Sequence, residues 1–429
     1  ERERPRGPVC CRASPCRCPS TSRPEPPEIM QRNSGSLQDQ LASAMAAVEL
    51  GGGWYGKLVD AEKACAETVV QMPDIASMRK EKLIGEGGYS LVWLVSSGES
   101  KFALKQMHKA ELASRKGLGP EVAFREKQAY EEIKPHPFIT RCYGAFQEER
   151  RLYLLLELCV MDLCAAPQTP GRTTVGTSTR TPPWRVRLTR TPARPSSQPR
   201  ALCLARTPRR RYELVDTYGE GQSRLQQDWA MFYIASISLA LRHMHAAGYV
   251  YRDLKQENVL LDARGYVKMA DMGAAKKVDK TRTFTALGTE EYIPPEQIRG
   301  KGRTHASDWW AVGVLLYELL MGRAPFEGQT SMQTLQKVAQ FSDSGSAGRE
   351  AIRSAIVGAL GPAATDAAAI TAALLDEHEG SRLGCTSEGF LGLANHPFFS
   401  SLDWLELFEQ RMLPPHVPAL ARANTDFLD

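Results

Sequence analysis

The sequence predicts an α+β fold in two lobes, a small strand-rich lobe followed by a larger helical one. Three observations carry it. Residues 81–107 hold short apolar segments separated by glycine turns, the mark of strands. WAMFYIASISLALRHMHAAG (229–248) is apolar on every side, as a buried core helix must be. From there onward helical stretches alternate with Gly/Pro punctuation. At 429 residues, 42% apolar and 24% charged, the chain can build two or three lobes with real cores.

The elements follow in order. Residues 1–36 read as a disordered tail. Its first 29 residues are Arg/Pro/Cys-rich and precede Met30, a candidate start, so they read either as untranslated sequence or as tail. Residues 37–79 read as a helical extension. Leu37, Leu41, Ala44 and Val48 recur at helical spacing, the helix is expected over 37–71, and Gly51-Gly52-Gly53 breaks the run. Strands over 81–107 lead to a helix at 121–134, ended by Pro135, and two strands within 140–160 complete the small lobe, 80–160. Residues 161–212 are a Pro/Thr/Arg-rich insertion with no periodicity, read as disordered or as unspliced sequence. The helical lobe occupies 213–400, and 401–429 form a C-terminal tail.

Charge and cysteine usage exclude several classes. The net charge is +5, yet residues 163–212 carry eleven Arg and no acid, and residues 1–29 carry six Arg against four Glu. The remainder is therefore acidic, and the basic total does not argue for nucleic acid. Only Trp184 interrupts the arginines of the insertion, which lack the aromatic stacking platforms of single-strand binders. LYLLLELCVM (152–161) is too short to span a bilayer. Cys10, Cys11, Cys16 and Cys18 cluster without a histidine, so free thiols are favoured over a zinc site. A reducing compartment is expected, the cytoplasm first and the nucleus second.

Four stretches carry chemistry. GEGGYSLV (85–92) is a glycine-rich turn between strands, where Gly85 and Gly87 let backbone approach phosphate oxygens; glycine turns also join ordinary hairpins. FALK (102–105) ends on Lys105, thirteen residues past Val92, and Glu126 lies on the next predicted helix. A Lys–Glu pair there could hold the ammonium against nucleotide phosphates. In YVYRDLKQENVL (249–260), Asp253 can orient or deprotonate an attacking hydroxyl and Lys255 can neutralise a phosphoryl group in flight. Asn258 can offer an oxygen to Mg²⁺, and thirteen residues on Asp271 can chelate it, with Gly273 permitting a sharp turn.

Together these stretches resemble the eukaryotic protein kinases. Glycine loop, strand Lys, helix Glu, Y-R-D-L-K-x-x-N, D-x-G and P-P-E (294–296) stand in order over more than 200 residues. The resemblance covers about 80–160 and 213–400 and implies the bilobal kinase fold, ATP and Mg²⁺ as cofactors, and Asn258 and Asp271 as metal ligands. Y-R-D, RTFTALGTEEYIPPE (282–296), SDWWAVGVLLYELLMGRAPF (307–326), NHPFFSSLDW (395–404) and MLPPHVPAL (412–420) are similar to the AGC group. Within it they resemble the cyclic-AMP-dependent catalytic subunits, with cyclic-GMP-dependent kinases as the alternative. Basic protein substrates and a cyclic-nucleotide-binding regulatory subunit are the implied partners.

Carried over residue by residue, the resemblance assigns Gly85, Glu86, Gly87, Gly88, Tyr89 and Ser90 to the loop over ATP. Val92, Ala103 and Leu260 would sandwich the adenine. Leu156 is the gatekeeper position and Glu157–Cys159 the hinge. Lys105, Glu126, Asp253, Lys255 and Thr289 are catalytic, with Thr289 expected against Asp253 and Lys255. Thr285 would be phosphorylated and pair with Arg252 and Lys276. Asp308 would brace the catalytic loop, and Glu296 would pair with Arg382. Glu257 and Glu318 would hold a substrate Arg two residues before the acceptor, and Glu213 a second Arg. Glu257 also belongs to the nucleotide-side set.

The chain departs from the pattern at Ser90 (third loop glycine), Met272 (D-F-G Phe), Pro294 (A-P-E Ala) and Val122. Val122 stands where this branch has a helix histidine that reaches the phosphothreonine, so weaker coupling of Thr285 to that helix is expected. No Phe-x-x-Phe follows NTDFLD, so the hydrophobic-motif contact is expected to be missing or truncated. A pseudokinase binding module is the rival class, disfavoured because Lys105, Glu126, Asp253, Asn258 and Asp271 are all present.

Overall fold

The computed structural model describes residues 53–87, 90–114, 121–162, 224–278, 282–283 and 289–418. The expected tail 1–36, the 163–211 insertion, Gly88, Tyr89, Glu213, Thr285 and residues 419–429 lie outside them. Two lobes are present, as the sequence predicts. The small lobe is a five-stranded antiparallel sheet in the order β1-β2-β3-β5-β4. Its strands are β1 (Arg79–Glu86), β2 (Ser90–Ser97), β3 (Ser100–His108), β4 (Cys142–Gln147) and β5 (Arg151–Glu157).

Strand β3 is central, and its side chains alternate between two cores, as strand geometry requires. Phe102 and Leu104 pack with Val95, Tyr153 and Leu155. Ala103 and Met107 pack with Leu152, Leu154 and Leu156 on the other face. The register sets Val92 opposite Lys105 and Ala103 opposite Leu156. Residues expected around a nucleotide are thus neighbours on one sheet face before any long-range folding is considered.

Helix α1 (Trp54–Ala66) starts immediately after Gly53 and ends five residues short of the expected limit. Thr68, Val69 and Val70 are β-branched and Pro73 lacks an amide hydrogen, which together disfavour continuation. The expected residues 37–52 lie outside the described chain. Helix α2 is Lys109–Ser114, and α3 is Glu121–Ile133, closed by Lys134 at φ +67 before Pro135.

The helical lobe is built on α4 (Gln227–Ala246) and α6 (Ala306–Met321), both buried nearly all round. Short pieces β6 (Met161–Asp162), β7 (Tyr249–Val250), β8 (Val259–Leu261), β9 (Val267–Met269), β10 (Lys276–Lys277) and helix α5 (Pro295–Ile298) belong to it as well. Helices α7 (Ser331–Ser344), α8 (Ser346–Leu360), α9 (Thr365–Leu374), α10 (Phe390–Ala394) and α11 (Trp404–Phe408) complete it. The core runs through Tyr233, Tyr251, Trp310, Phe399 and Leu407, each buried aromatic or Leu contributing about 1.5–3 kcal/mol.

Two attachments tie the flanks to this lobe. Trp54 of α1 stacks on Trp404 at 6.3 Å and Tyr55 on Phe390 at 6.5 Å, while Glu62 pairs with Arg242. Beside that pair, Glu62, His136 and His243 come within 4.8 Å of one another. They do not make a metal centre: His136 Nδ1 accepts from the Phe138 amide at 3.2 Å, so Nε2, facing Glu62, carries the proton. At the other end, the Tyr266 hydroxyl sits between the carbonyls of Gln410 and Met412. Gly265, at φ +93, lies so close to the His416 carbonyl that a Cβ would stand 2.0 Å from its oxygen. Only glycine lets the tail lie against the β8–β9 turn.

Candidate active site

Lys105 is positioned by the middle of a sheet, Glu126 by helix α3, and Asp271 by the turn after β9. The Lys105 ammonium donates to Glu126 Oε1 at 2.8 Å, Glu126 Oε2 at 3.0 Å and Asp271 Oδ1 at 2.9 Å. Glu126 is fully buried and Lys105 nearly so, whereas the Asp271 side chain is 43% exposed. Burial pushes the Glu126 carboxyl upward, opposed by Lys105, while Lys105 first of all holds Asp271 below the ordinary carboxylate range. The triad therefore presents one charged carboxylate to the cleft between the lobes.

Asp253, Lys255 and Asn258 meet as their spacing implied. Lys255 Nζ donates to Asp253 Oδ2 at 3.0 Å, and Asn258 Nδ2 donates to the Asp253 carbonyl and to Oδ2, both at 2.8 Å. Those two bonds settle the orientation of the Asn258 amide and leave its oxygen as the atom available to a cation. On Asp271, the Lys105 bond and the bond from the Gly273 amide (3.2 Å) both fall on Oδ1. An amide oxygen and a part-exposed carboxylate suit Mg²⁺, which binds through one or two protein oxygens and keeps waters and phosphates as its other ligands.

Two non-glycine residues of this region hold left-handed backbone, Arg252 at φ +71 and Asp271 at φ +56. Asp tolerates that region, but Arg does so at a cost of about 1–2 kcal/mol. The surroundings enforce it: Asp308 accepts from the Tyr251 amide at 2.8 Å and from the Arg252 amide at 2.9 Å, and Arg303 donates to the Arg252 carbonyl at 2.7 Å. His245 Nε2 lies 2.8 Å from Asp308 Oδ2, the oxygen that the Tyr251 amide also reaches, while the Arg252 amide bonds Oδ1. Asp308 braces the loop as expected, and Glu296 pairs with Arg382 at 2.9 and 3.0 Å.

Thr289 lines a small cavity with Arg252, Asp253, Tyr292 and Asp308, which puts it beside the Asp253 loop. Arg252 donates to the Ala274 carbonyl at 2.6 Å and to Thr283 Oγ1 at 2.9 Å. Its Nη2 is buried with no partner among the described residues. Lys276, on β10, pairs in register with Val250, two residues before Arg252. Burial, then the neighbouring Arg303, lowers the Arg252 guanidinium to about 10. Arg125 of α3 adds to the same repulsion, so this helix brings a cation to Arg252 from position 125, although position 122 is valine.

Glu318 accepts from the Tyr292 hydroxyl, and burial followed by nearby Glu257 and Glu291 raises its carboxyl to about 7. Glu157 is tied down at the hinge: Lys268 pairs with it at 2.9 Å and the Arg141 amide donates to it at 3.2 Å. Burial pushes the Cys159 thiol up to about 12, so it is an inert lining group. Leu260 lies in the middle of β8. Sequence reading missed Tyr292, His245, Arg303 and Arg125. Tyr292 was detectable only as a hydroxyl next to Glu291, which says nothing of Glu318 twenty-six positions on.

Comparison with known proteins agrees with this geometry. The protein kinase domain model matches residues 78–174 and 196–399, more than half of the chain. The chain is 28% identical over 353 residues to ribosomal protein S6 kinase 2 alpha of Xenopus laevis, covering 81% of this chain and 39% of that protein. It is 29% identical over 354 residues to ribosomal protein S6 kinase alpha-2 of Mus musculus and of Homo sapiens, with the same coverage. The chain spans about two-fifths of the length of these relatives. With a five-stranded sheet above a helical lobe and the matched domain extending across both, the chain belongs to the protein kinase family.

Proposed function

We propose that the chain is an active serine/threonine protein kinase of the AGC group, transferring the γ-phosphoryl of Mg-ATP to a Ser or Thr close to arginine in a protein. The observation that carries this reading is the Lys105 ammonium held at once by Glu126 and Asp271, facing Asp253, Lys255 and Asn258. A pseudokinase would have no need to keep all six groups in this arrangement. Bound Mg-ATP supplies the phosphoryl group and the metal's charge neutralisation, with Asn258 and Asp271 as its protein ligands. Asp253 orients the substrate hydroxyl and accepts its proton. Lys255, 3.0 Å from that carboxylate, offsets negative charge at the acceptor side.

The finer features belong to the same proposal. Glu257 and Glu318 receive a substrate arginine, and the raised Glu318 carboxyl supports this, because a guanidinium would replace the missing counter-charge. Thr285 is the activation phosphosite; Arg252 Nη2, buried with no partner among the described residues, supports an anion there. Kinship with cyclic-AMP-dependent catalytic subunits, and with it a cyclic-nucleotide-binding regulatory subunit, rests on the motif likeness of 282–326. The free thiols Cys65, Cys142, Cys159 and Cys385 support the cytoplasm, with the nucleus second. A labelled-ATP assay on an Arg-Arg-x-Ser peptide tests the reading. Transfer to serine should occur, and deleting 163–211 should leave it intact or raise it; absence of transfer by both chains would refute it.

The pH dependence follows from Glu318. Its folded value of about 7 means that the carboxyl is mostly neutral at pH 6 and mostly ionised at pH 8. KM for the arginine peptide should therefore fall by up to roughly tenfold across that interval. Glu318→Gln should flatten the dependence and hold KM high. A flat profile in the wild type would remove Glu318 from the substrate site.

A further inference from the structure

Arg303 lies in the link between α5 and α6 and joins segments that the sequence keeps apart. Its backbone forms a two-way antiparallel bridge with Thr283. The Thr283 amide donates to the Arg303 carbonyl at 3.2 Å, and the Arg303 amide to the Thr283 carbonyl at 2.9 Å. Its side chain donates through Nη1 to the Arg252 carbonyl at 2.7 Å and through Nε to the Gln297 side chain of α5. The Arg252 side chain in turn reaches Thr283 Oγ1 at 2.9 Å. Thr283, Arg303 and Arg252 thus close a ring of hydrogen bonds, and Thr283 and Arg303 are both buried. The ring needs no phosphate, since every bond in it joins groups of the unmodified chain.

A cation is a costly way to fill this space. Burial lowers the Arg303 guanidinium, only partly offset by Asp308, Asp253 and Glu296, and Arg303 in turn repels Arg252. An apolar side chain would pack there without that cost. What the guanidinium supplies is a donor to the carbonyl of the residue before Asp253, where the backbone holds φ +71. Arg303 also lines the small cavity shared by Asp253 and Thr289. We propose that Arg303 is a positioning residue that carries the placement of the Thr283 segment into the Asp253 loop, so that Asp253 is aimed at the acceptor hydroxyl only while the ring is closed. This rests on the kinase reading above.

Arg303→Met and Arg303→Lys in the full chain test it. Methionine removes both side-chain donors. Its kcat on the Arg-Arg-x-Ser peptide should fall about 10–10²-fold, the cost of a misplaced group at the reacting centre. Peptide KM and Mg-ATP Kd should stay within about twofold, because the groups that bind are untouched. Lysine keeps a donor for the Arg252 carbonyl and should recover most of the lost kcat. A merely structural arginine would lower the melting temperature and leave kcat per Mg-ATP-binding molecule unchanged, which overturns the proposal. So does a lysine variant as slow as the methionine one. Should Arg303→Met fail to fold, Thr283→Val decides: it keeps the backbone bridge, removes the hydroxyl that Arg252 holds, and should lower kcat several-fold at unchanged KM. A wild-type kcat in that variant overturns the proposal. A wild type that transfers no phosphate refutes the kinase reading itself, whereas an active wild type with equally fast variants refutes only the role of Arg303.

Discussion

Replacing Asp271 should stop phosphoryl transfer while sparing the fold. The Asp271 carboxylate is the part-exposed member of the Lys105 triad, and only its Oδ1 is engaged by Lys105 and the Gly273 amide. Phosphoryl transfer draws its rate from positioned charge, and loss of one such group typically costs about 10²–10³-fold. Loss of a metal-binding carboxylate should reach at least that. Asp271→Ala has a second effect, because the site holds φ +56 and alanine is strained there by about 1–2 kcal/mol. Asp271→Asn is the cleaner variant: asparagine tolerates that backbone and keeps the shape, but lacks the charge. Both variants should lose peptide phosphorylation and Mg-ATP-induced stabilisation, with Asp271→Asn melting within a few degrees of wild type. Transfer that survives in Asp271→Asn would disprove the metal role.

The second large effect concerns stability. Arg382 is wholly buried between α9 and α10. It donates twice to Glu296, to the Ala306 carbonyl at 2.7 Å and to the Asp376 carbonyl at 2.9 Å, and its guanidinium lies 5.2 Å from the Trp310 ring. Arg382→Met would leave a buried glutamate and two carbonyls without their donor. Breaking such a pair costs about 3–5 kcal/mol, equivalent to a melting temperature lower by roughly 10 °C in a domain of this size. Glu296→Gln in the same background should recover part of the loss, because the residual charge is then gone. A single-variant change under about 1 kcal/mol by denaturant titration would show that the pair is solvated in solution.

Much of the site was readable because its chemistry demands residue types at short spacing. Asp253, Lys255 and Asn258 lie within six positions, and their mutual bonds run between side chains two and five residues apart. The Asp308 brace and the Glu296–Arg382 pair were anticipated through family likeness alone, for nothing local links positions 56 and 86 apart. Helix α1 was expected to run to 71, but apolar recurrence could not register the β-branched run that ends it. Nothing in the local sequence marks Arg125, because its neighbour in charge, Arg252, lies on a distant loop. Val122 is buried, while Arg125, one turn on, lies near enough to Arg252 for their charges to repel, and only packing sets that difference.

The linear chain by itself determined the two-lobed plan, the order of strands and helices and the identity of the reactive groups. Local spacing, glycine turns and apolar periodicity are properties of neighbouring residues, so they are written in the text of the sequence. The closure of Lys105 on Asp271, 166 positions away, was decided only by the tertiary structure. The same holds for the Tyr292 bond to Glu318. The first depends on how the two lobes meet and the second on packing inside the helical lobe, and the burial that alters the proton affinity of these groups exists only once the chain has folded.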